Sequence, residues 1–245
     1  NSRRNYPIFK YIERIFYNRY SSIIAITNGV RCSLKDWLSP DSFNKISTIM
    51  NGAIFFNFKE RKSLSKCIKF ISVGSLKRQK GFDRAIKALS QLEHIDWQYE
   101  IIGEGPLRGE LDRLIISLDL QDKVILSGWH SMLEEKYHNA NIQLIPSKFE
   151  GFGLVAIEGM STGLPVIAAD LDGLNEIVSN SVDSCFLVEN PDNINNWVDT
   201  INVCIDALKN DIAYISQESY QHSLKFSLEK MTKDYVALYR QILDK

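Results

Sequence analysis

The sequence predicts an α/β fold: a Rossmann-like parallel sheet with helices on both faces, preceded by a remnant of a second α/β domain. Three observations predict it. From Ile68 onward, short apolar runs alternate with amphipathic stretches, the order that builds a parallel sheet joined by right-handed crossovers. The residues ahead of that alternation suffice only for a helix, a strand and a helix. The glycine-rich and charged loops all follow predicted strands, at the carboxyl ends where such sheets bind ligands.

The elements follow in order. Ile8–Tyr20 alternates aromatic and basic residues at near-helical spacing, and the β-branched run Ser21–Thr27 reads as a buried strand. Asn28-Gly29 turns the chain into a short helix to Trp37, which Ser39-Pro40 breaks. Ile46–Met50 is a second short strand ended by Asn51-Gly52, and Phe55–Lys66 is basic, unpatterned and linker-like. Strands are then expected at Ile68–Val73, Trp97–Ile102, Lys123–Ser127, Ile142–Ile145, Pro165–Ala168 and Cys185–Val188. Helices are expected at Phe82–Leu92, Leu107–Leu118, Met132–Asn139 and Leu154–Ser161, with a short one near Leu174–Val178 and helix throughout Ile194–Leu243.

Composition narrows the class. The 245 residues are 44% hydrophobic and 24% charged, ordinary for a soluble chain. No apolar run approaches the roughly 20 residues that span a bilayer, no signal-peptide pattern opens the chain, and the first residue is not Met. A processed chain or a fragment, located in the cytoplasm, is therefore expected. Cys32, Cys67, Cys185 and Cys204 have no metal-ligand spacing and read as reduced thiols; the four histidines are scattered. Charge is uneven: +12 over residues 1–80 and −13 over residues 81–245. Either the basic part meets an anionic partner or it pairs with the acidic remainder. Arg4, Lys10, Arg14 and Arg19 in the aromatic segment Tyr6–Tyr20 would suit a membrane surface. No nucleic-acid recognition module accompanies the charge, so no nucleic-acid partner is expected.

Three loops carry chemistry. Gly74-Ser75-Leu76-Lys77-Arg78-Gln79-Lys80-Gly81 holds three cations and ends where a helix begins, a setting that favours an anion such as a diphosphate, with Lys80 the principal cation. Gly103-Glu104-Gly105-Pro106 faintly resembles a dinucleotide fingerprint, but the next glycine falls at Gly109, and Glu104 and Pro106 suit a pyrophosphate poorly. An oxidoreductase is the weaker reading for that reason. The third loop leaves a strand at Pro146, passes Glu150, Gly151, Phe152 and Gly153, and enters a helix at Leu154. Glu158 follows one turn later among Val155, Ala156, Ile157 and Met160, where a carboxylate needs a partner and a ribose diol would supply one.

Glu150 and Glu158, separated by seven residues and framing Gly-Phe-Gly-Leu, resemble the signature of retaining glycosyltransferase family 4, which has the GT-B fold. The segments Val73–Gly81, Ile102–Pro106, Val124–His130, Ile49–Gly52 and Phe226–Tyr239 resemble other family segments in the same order. The resemblance implies a remnant of the acceptor domain over residues 1–57, a linker at 58–66, a nucleotide-sugar donor domain at 67–225 and a crossover helix at 226–245. It implies that Glu150 faces the donor sugar and that backbone N–H groups of Phe152, Gly153, Leu154 and Val155 contact sugar and phosphate. It further implies that Glu158 holds the ribose, that Lys80 neutralises the departing diphosphate, and that the backbone near Trp129 meets the base edge, with room for a side chain there to flank it. Gly74, Ser75, Arg78, Gly103 and Gly151 complete the expected donor site. No metal or other cofactor is implied; the acceptor would be a sugar or lipid-linked sugar, with peripheral membrane contact. Ser75 stands where the family usually has Arg, leaving Lys77 or Arg78 to supply charge. The short first part implies that the isolated chain is inactive, so a non-catalytic sugar-nucleotide module or the donor half of a split enzyme is the alternative.

Overall fold

The computed structural model describes residues 7–179 and 181–244, apart from the side chains of Pro7, Ile8, Lys10 and Asp36. The chain forms two compact units: residues up to Gly52 together with those from Phe226, and residues 53–225.

The smaller unit begins with α1 (Pro7–Tyr17), β1 (Ile23–Ala25), α2 (Asn28–Trp37) and β2 (Ile46–Thr48). β1 and β2 pair in parallel, and Ile23, Ala25, Leu38 and Ile46 are buried together. Thr27 caps α2 by accepting from the Val30 N–H at 3.1 Å. The Trp37 indole donates to Glu13 at 2.5 Å, and Arg14 Nε donates to the Trp37 carbonyl at 3.1 Å, tying α1 to α2. Of the cations proposed to meet a membrane, Arg14 is thus engaged and Arg19 is exposed. Arg4, Tyr6 and the Lys10 side chain lie outside the described residues.

The larger unit alternates strand and helix: β3 (Cys67–Val73), α3 (Phe82–Leu89), β4 (Asp96–Ile102), α4 (Arg108–Ser117), β5 (Val124–Gly128), α5 (Leu133–Asn139), β6 (Ile142–Ile145), α6 (Leu154–Ser161), β7 (Val166–Ala169), β8 (Cys185–Val188) and α7 (Ile194–Ser223). The six strands form one parallel sheet in the order β5-β4-β3-β6-β7-β8. The pleat sends Phe70, Tyr99 and Ile101 into one core with Phe82, Ile86, Leu111 and Trp197, and sends Ile71 and Ile102 into another with Tyr137 and Leu164. This is the two-faced α/β sheet the sequence predicts. The last helix, α8 (Leu228–Leu243), belongs to the smaller unit, where Met231 Sδ accepts from the Gly52 N–H at 3.1 Å.

Two expectations are corrected. Leu174–Val178 is a run of hydrogen-bonded turns rather than a helix. Gly173, at φ 88°, reverses the chain just before it, and the Asn175 side chain is drawn back to Asp170 at 2.9 Å. The helical stretch from Ile194 to Leu243 is interrupted twice. Asp211 adopts non-helical φ −155° and ψ 84° and accepts from the Tyr214 N–H at 2.9 Å, starting a second helical segment. A 3₁₀ turn at Leu224–Phe226 then separates α7 from α8.

His222, buried on α7, donates from Nε2 to the Ile177 carbonyl at 2.7 Å. Burial lowers its pKa below the ordinary 6.5 and nearby Lys225 lowers it further, while the Ile177 bond and Glu218 oppose the shift. The folded chain therefore keeps this imidazole neutral where the unfolded chain binds a proton. Its stability contribution is complete above pH 6.5 and is lost as pH falls through that value toward the folded pKa. H222Q retains a donor for Ile177 but cannot titrate. Between about pH 7.5 and 5.5, spanning the free imidazole's pKa, the parent's Tm is expected to fall more steeply than the variant's; parallel curves would contradict this.

Candidate functional site

β3 has β4 on one side and β6 on the other, so the strand order reverses between β3 and β6. Crevices at such switch points, at the carboxyl ends of strands, are where open α/β sheets take ligands. Here the backbone ladder pairs only Phe70 with Ile142 and Ile71 with Gln143. One step further, Ser72 Oγ donates to the Leu144 carbonyl at 2.6 Å and lies 2.7 Å from the Tyr99 hydroxyl. A buried side chain thus takes over from the ladder as the two strands separate toward their ends.

The loops that leave those ends, 74–81 and 146–153, are locked together. The Lys148 N–H donates to the Gln79 carbonyl at 2.7 Å, and Gln79 Nε2 donates to the Phe149 carbonyl at 3.1 Å. Arg84 reaches the Ser147 carbonyl at 3.3 Å and pairs with Asp192. Gly81 adopts φ 63°, and a Cβ there would stand 2.0 Å from the Pro146 carbonyl oxygen. Only glycine allows that backbone contact. The result is an ion pair: Lys80 Nζ meets Glu150 Oε2 at 2.6 Å, with 18% and 14% of the two side chains exposed. Ser147 Oγ, buried beneath, also donates to Glu150 at 3.4 Å.

Glu150 leads into α6. Gly153, at φ 93°, precedes the helix and supplies no capping side chain, so the first-turn N–H groups of Leu154 and Val155 are left for an acceptor outside the helix. A Cβ at Gly151 would meet no protein atom within 4 Å, so the protein itself does not require glycine there. Phe152 is buried. Glu158, half-buried one turn along α6, accepts from the Tyr137 hydroxyl at 3.3 Å. Burial raises the Glu158 carboxyl above its ordinary range, and the Tyr137 bond pulls it partly back.

The remaining expected residues are distributed around this pair. Gly74 and Leu76 donate to the Ile102 and Glu104 carbonyls at 2.9 and 3.0 Å, and Gly103 donates to Gly128 at 2.8 Å, so three strand-end loops are stitched edge to edge. Ser75 is partly exposed and uncharged. Arg78, 83% exposed, lies 3.9 Å from Glu110, on the side of its loop that faces α4. Lys80, rather than Arg78, is the cation joined to Glu150. Glu104 is balanced by Arg108 at 3.1 Å, and the turn at 103–106 serves loop-to-loop contact. Trp129, 74% exposed, follows β5 directly. Tyr137, Ser147 and Gln79 were not expected in the site; a hydrophobic pattern marks Tyr137 as core and carries no trace of its hydroxyl's partner. A groove of about 630 Å³ between β8 and α7, lined by Asp183, Asp199, Asp211 and Tyr214, shares none of these residues.

Gly81→Ala tests how tightly the loops are coupled. It places a β-carbon against Pro146 in left-handed backbone. A loss of about 1–3 kcal/mol, as for other strained backbone positions, is expected in denaturant unfolding; parent-like stability would show that the loops separate freely.

Residues 54–222 match the family described as glycosyl transferases group 1. An uncharacterized glycosyltransferase of Methanocaldococcus jannaschii is 29% identical over 92% of this chain and 62% of its own length. The lipopolysaccharide core biosynthesis mannosyltransferase LpsB of Rhizobium meliloti is 25% identical over 76% of this chain and 55% of its own. The chain thus spans less than two thirds of either relative. Anabaena HepE, solved in complex with UDP and glucose, has a TM-score of 0.82 at 20% identity, over 98% of this chain and 69% of that one, a likeness of fold. With a parallel sheet of GT-B type and a family match over well over half its length, the chain belongs to the glycosyl transferases group 1 family.

Proposed function

We propose that the larger unit is the donor-binding half of an enzyme that moves a sugar from a nucleoside diphosphate sugar to a hydroxyl acceptor with retention, in the synthesis of a surface polysaccharide or glycolipid. The observation that carries the proposal is the Lys80–Glu150 pair at the mouth of the uncapped helix α6, with Glu158 one turn further in. A diphosphate suits the N–H groups and positive dipole end of α6 together with Lys80. Lys80, with three N–H donors, can turn to the phosphate while Glu150 accepts hydroxyls of the sugar. As the bond from the anomeric carbon to the phosphate oxygen lengthens, negative charge grows on the departing diphosphate, and Lys80 and the helix N-terminus stabilise it. That charge work then falls to the protein, and no metal is called for. Glu158 takes the ribose diol, and Trp129 flanks the base. Retention is proposed from the resemblance of the Glu150–Glu158 segment to the family signature.

Two similar proteins favour the same chemistry: one was solved with UDP and glucose, the other is a mannosyltransferase of lipopolysaccharide core synthesis. A sugar or lipid-linked sugar acceptor and a peripheral place on the cytoplasmic face of a membrane belong to the proposal. The membrane contact alone draws support from the exposed Phe9, Tyr11, Ile12, Ile15 and Phe16 of α1. None of the described helices is long and apolar enough to cross a membrane. Uncharged Ser75 favours one second reading, a sugar-nucleotide-binding module without turnover, and sugar transfer by the chain with a supplied acceptor would refute it.

Titration with UDP, GDP and ADP in excess EDTA is expected to reveal a nucleoside diphosphate that binds. K80A and E158A should each weaken it about 10- to 100-fold, the value of a hydrogen bond to a charged group. The K80A loss should disappear with the unphosphorylated nucleoside, whereas the E158A loss should persist. Parent-like affinity in either variant would contradict that residue's role, and binding only with a divalent ion would contradict the metal-free reading.

A further inference from the structure

Glu158 is held from behind by groups that cannot themselves reach a ligand. Tyr137 is fully buried, and its hydroxyl donates to Glu158 Oε2 at 3.3 Å. The side-chain amide of Gln143, also fully buried, donates to the Val155 carbonyl on the same helix as Glu158 at 2.8 Å. An ionised carboxylate can only accept, so the tyrosine proton points at Glu158.

The helix that carries Tyr137 is itself clamped. The Phe56 ring packs on Tyr137 with centroids 5.7 Å apart, and the Phe56 N–H donates to Ser161 Oγ at 3.1 Å on α6. Arg61 Nη2 donates to the Tyr137 carbonyl at 3.0 Å, and Nη1 donates to the Ala140 carbonyl. Asn57 donates twice to Glu134, and its carbonyl meets His138 Nε2 at 2.8 Å. Residues 56–61 thus strap α5 and α6 together at the two helices that carry Tyr137 and Glu158.

We propose that Tyr137 is a positioning residue for the ribose: its hydroxyl orients the Glu158 carboxylate so that both oxygens present lone pairs to a vicinal diol, with the 56–61 strap fixing the tyrosine. Carboxylate torsions are broad and two-fold, so without a fixed donor Glu158 would sample orientations that accept only one hydroxyl. The inference rests on the assignment of Glu158 to the ribose.

The test measures two affinities for the parent, Y137F, E158A and the double variant. One is for whichever of UDP, GDP and ADP binds the parent most tightly; the other is for its 2′,3′-dideoxy counterpart. Y137F is expected to weaken the ribonucleotide about fivefold or more, to leave the dideoxy form unchanged, and to add nothing to E158A. A loss equal for both ligands, or none, would overturn the role of Tyr137. Loss of ribose preference in E158A combined with parent behaviour in Y137F would reject Tyr137 alone; parent behaviour in E158A would reject the ribose assignment beneath it. Should Y137F fail to fold, parent chain labelled at tyrosine ¹³Cζ serves instead. The resonance displaced by E158A is then expected to move with the ribonucleotide and not with the dideoxy form, and an equal response to both would overturn the proposal.

Discussion

The pairing of β3 with β6 is the constraint on which the rest depends. Strands adjacent in space but separated by β4 and β5 in sequence create the switch point, and their short ladder lets the strand ends part. Ser72 bridges the separation from within by bonding the Leu144 carbonyl. A hydroxyl buried in an apolar sheet is costly without partners, and here both neighbouring strands supply one. The two emerging loops then meet backbone to backbone at Gly81 and Pro146, which leaves Lys80 and Glu150 no separate places to go.

The electrostatics follow from that geometry. A partly buried lysine and glutamate each cost desolvation, and each relieves the other. The pair holds a cation beside the uncapped start of α6. Glu158 lies in a different balance: burial raises its proton affinity, and a buried tyrosine opposes the rise. Two carboxylates eight positions apart therefore have different partners, one a lysine cation and one a buried neutral donor.

Much of the fold is legible because parallel strands buried on both faces read as continuous apolar runs. Val166–Ala169 is apolar and buried at every position, and Ile142–Ile145, buried throughout, is broken only by Gln143. The loop positions are legible for the same reason, since they begin where those runs end. The turns at Leu174–Val178 were not, because their apolar residues match a helical face and only the backbone at Gly173 rules the helix out. Nor was the strap at 56–61 legible: Arg61 bonds to main-chain carbonyls, which every residue offers and no side-chain pattern advertises. The uneven charge resolves in part into pairs inside the larger unit, with Lys80 on Glu150 and Arg78 on Glu110, each joining a basic residue of the first 80 to an acidic one beyond it.

The central claim is that the β3/β6 switch point binds a nucleoside diphosphate. Thermal unfolding of the chain with UDP, GDP, ADP and NAD, each near saturation, tests it most directly. A ligand at about a hundredfold its dissociation constant adds about 2.7 kcal/mol, equivalent to about 5–10 °C for a domain of this size. A shift of that order with one of the nucleoside diphosphates, and none with NAD, is the result the account predicts. A shift with NAD alone, or with none of the four, would contradict it.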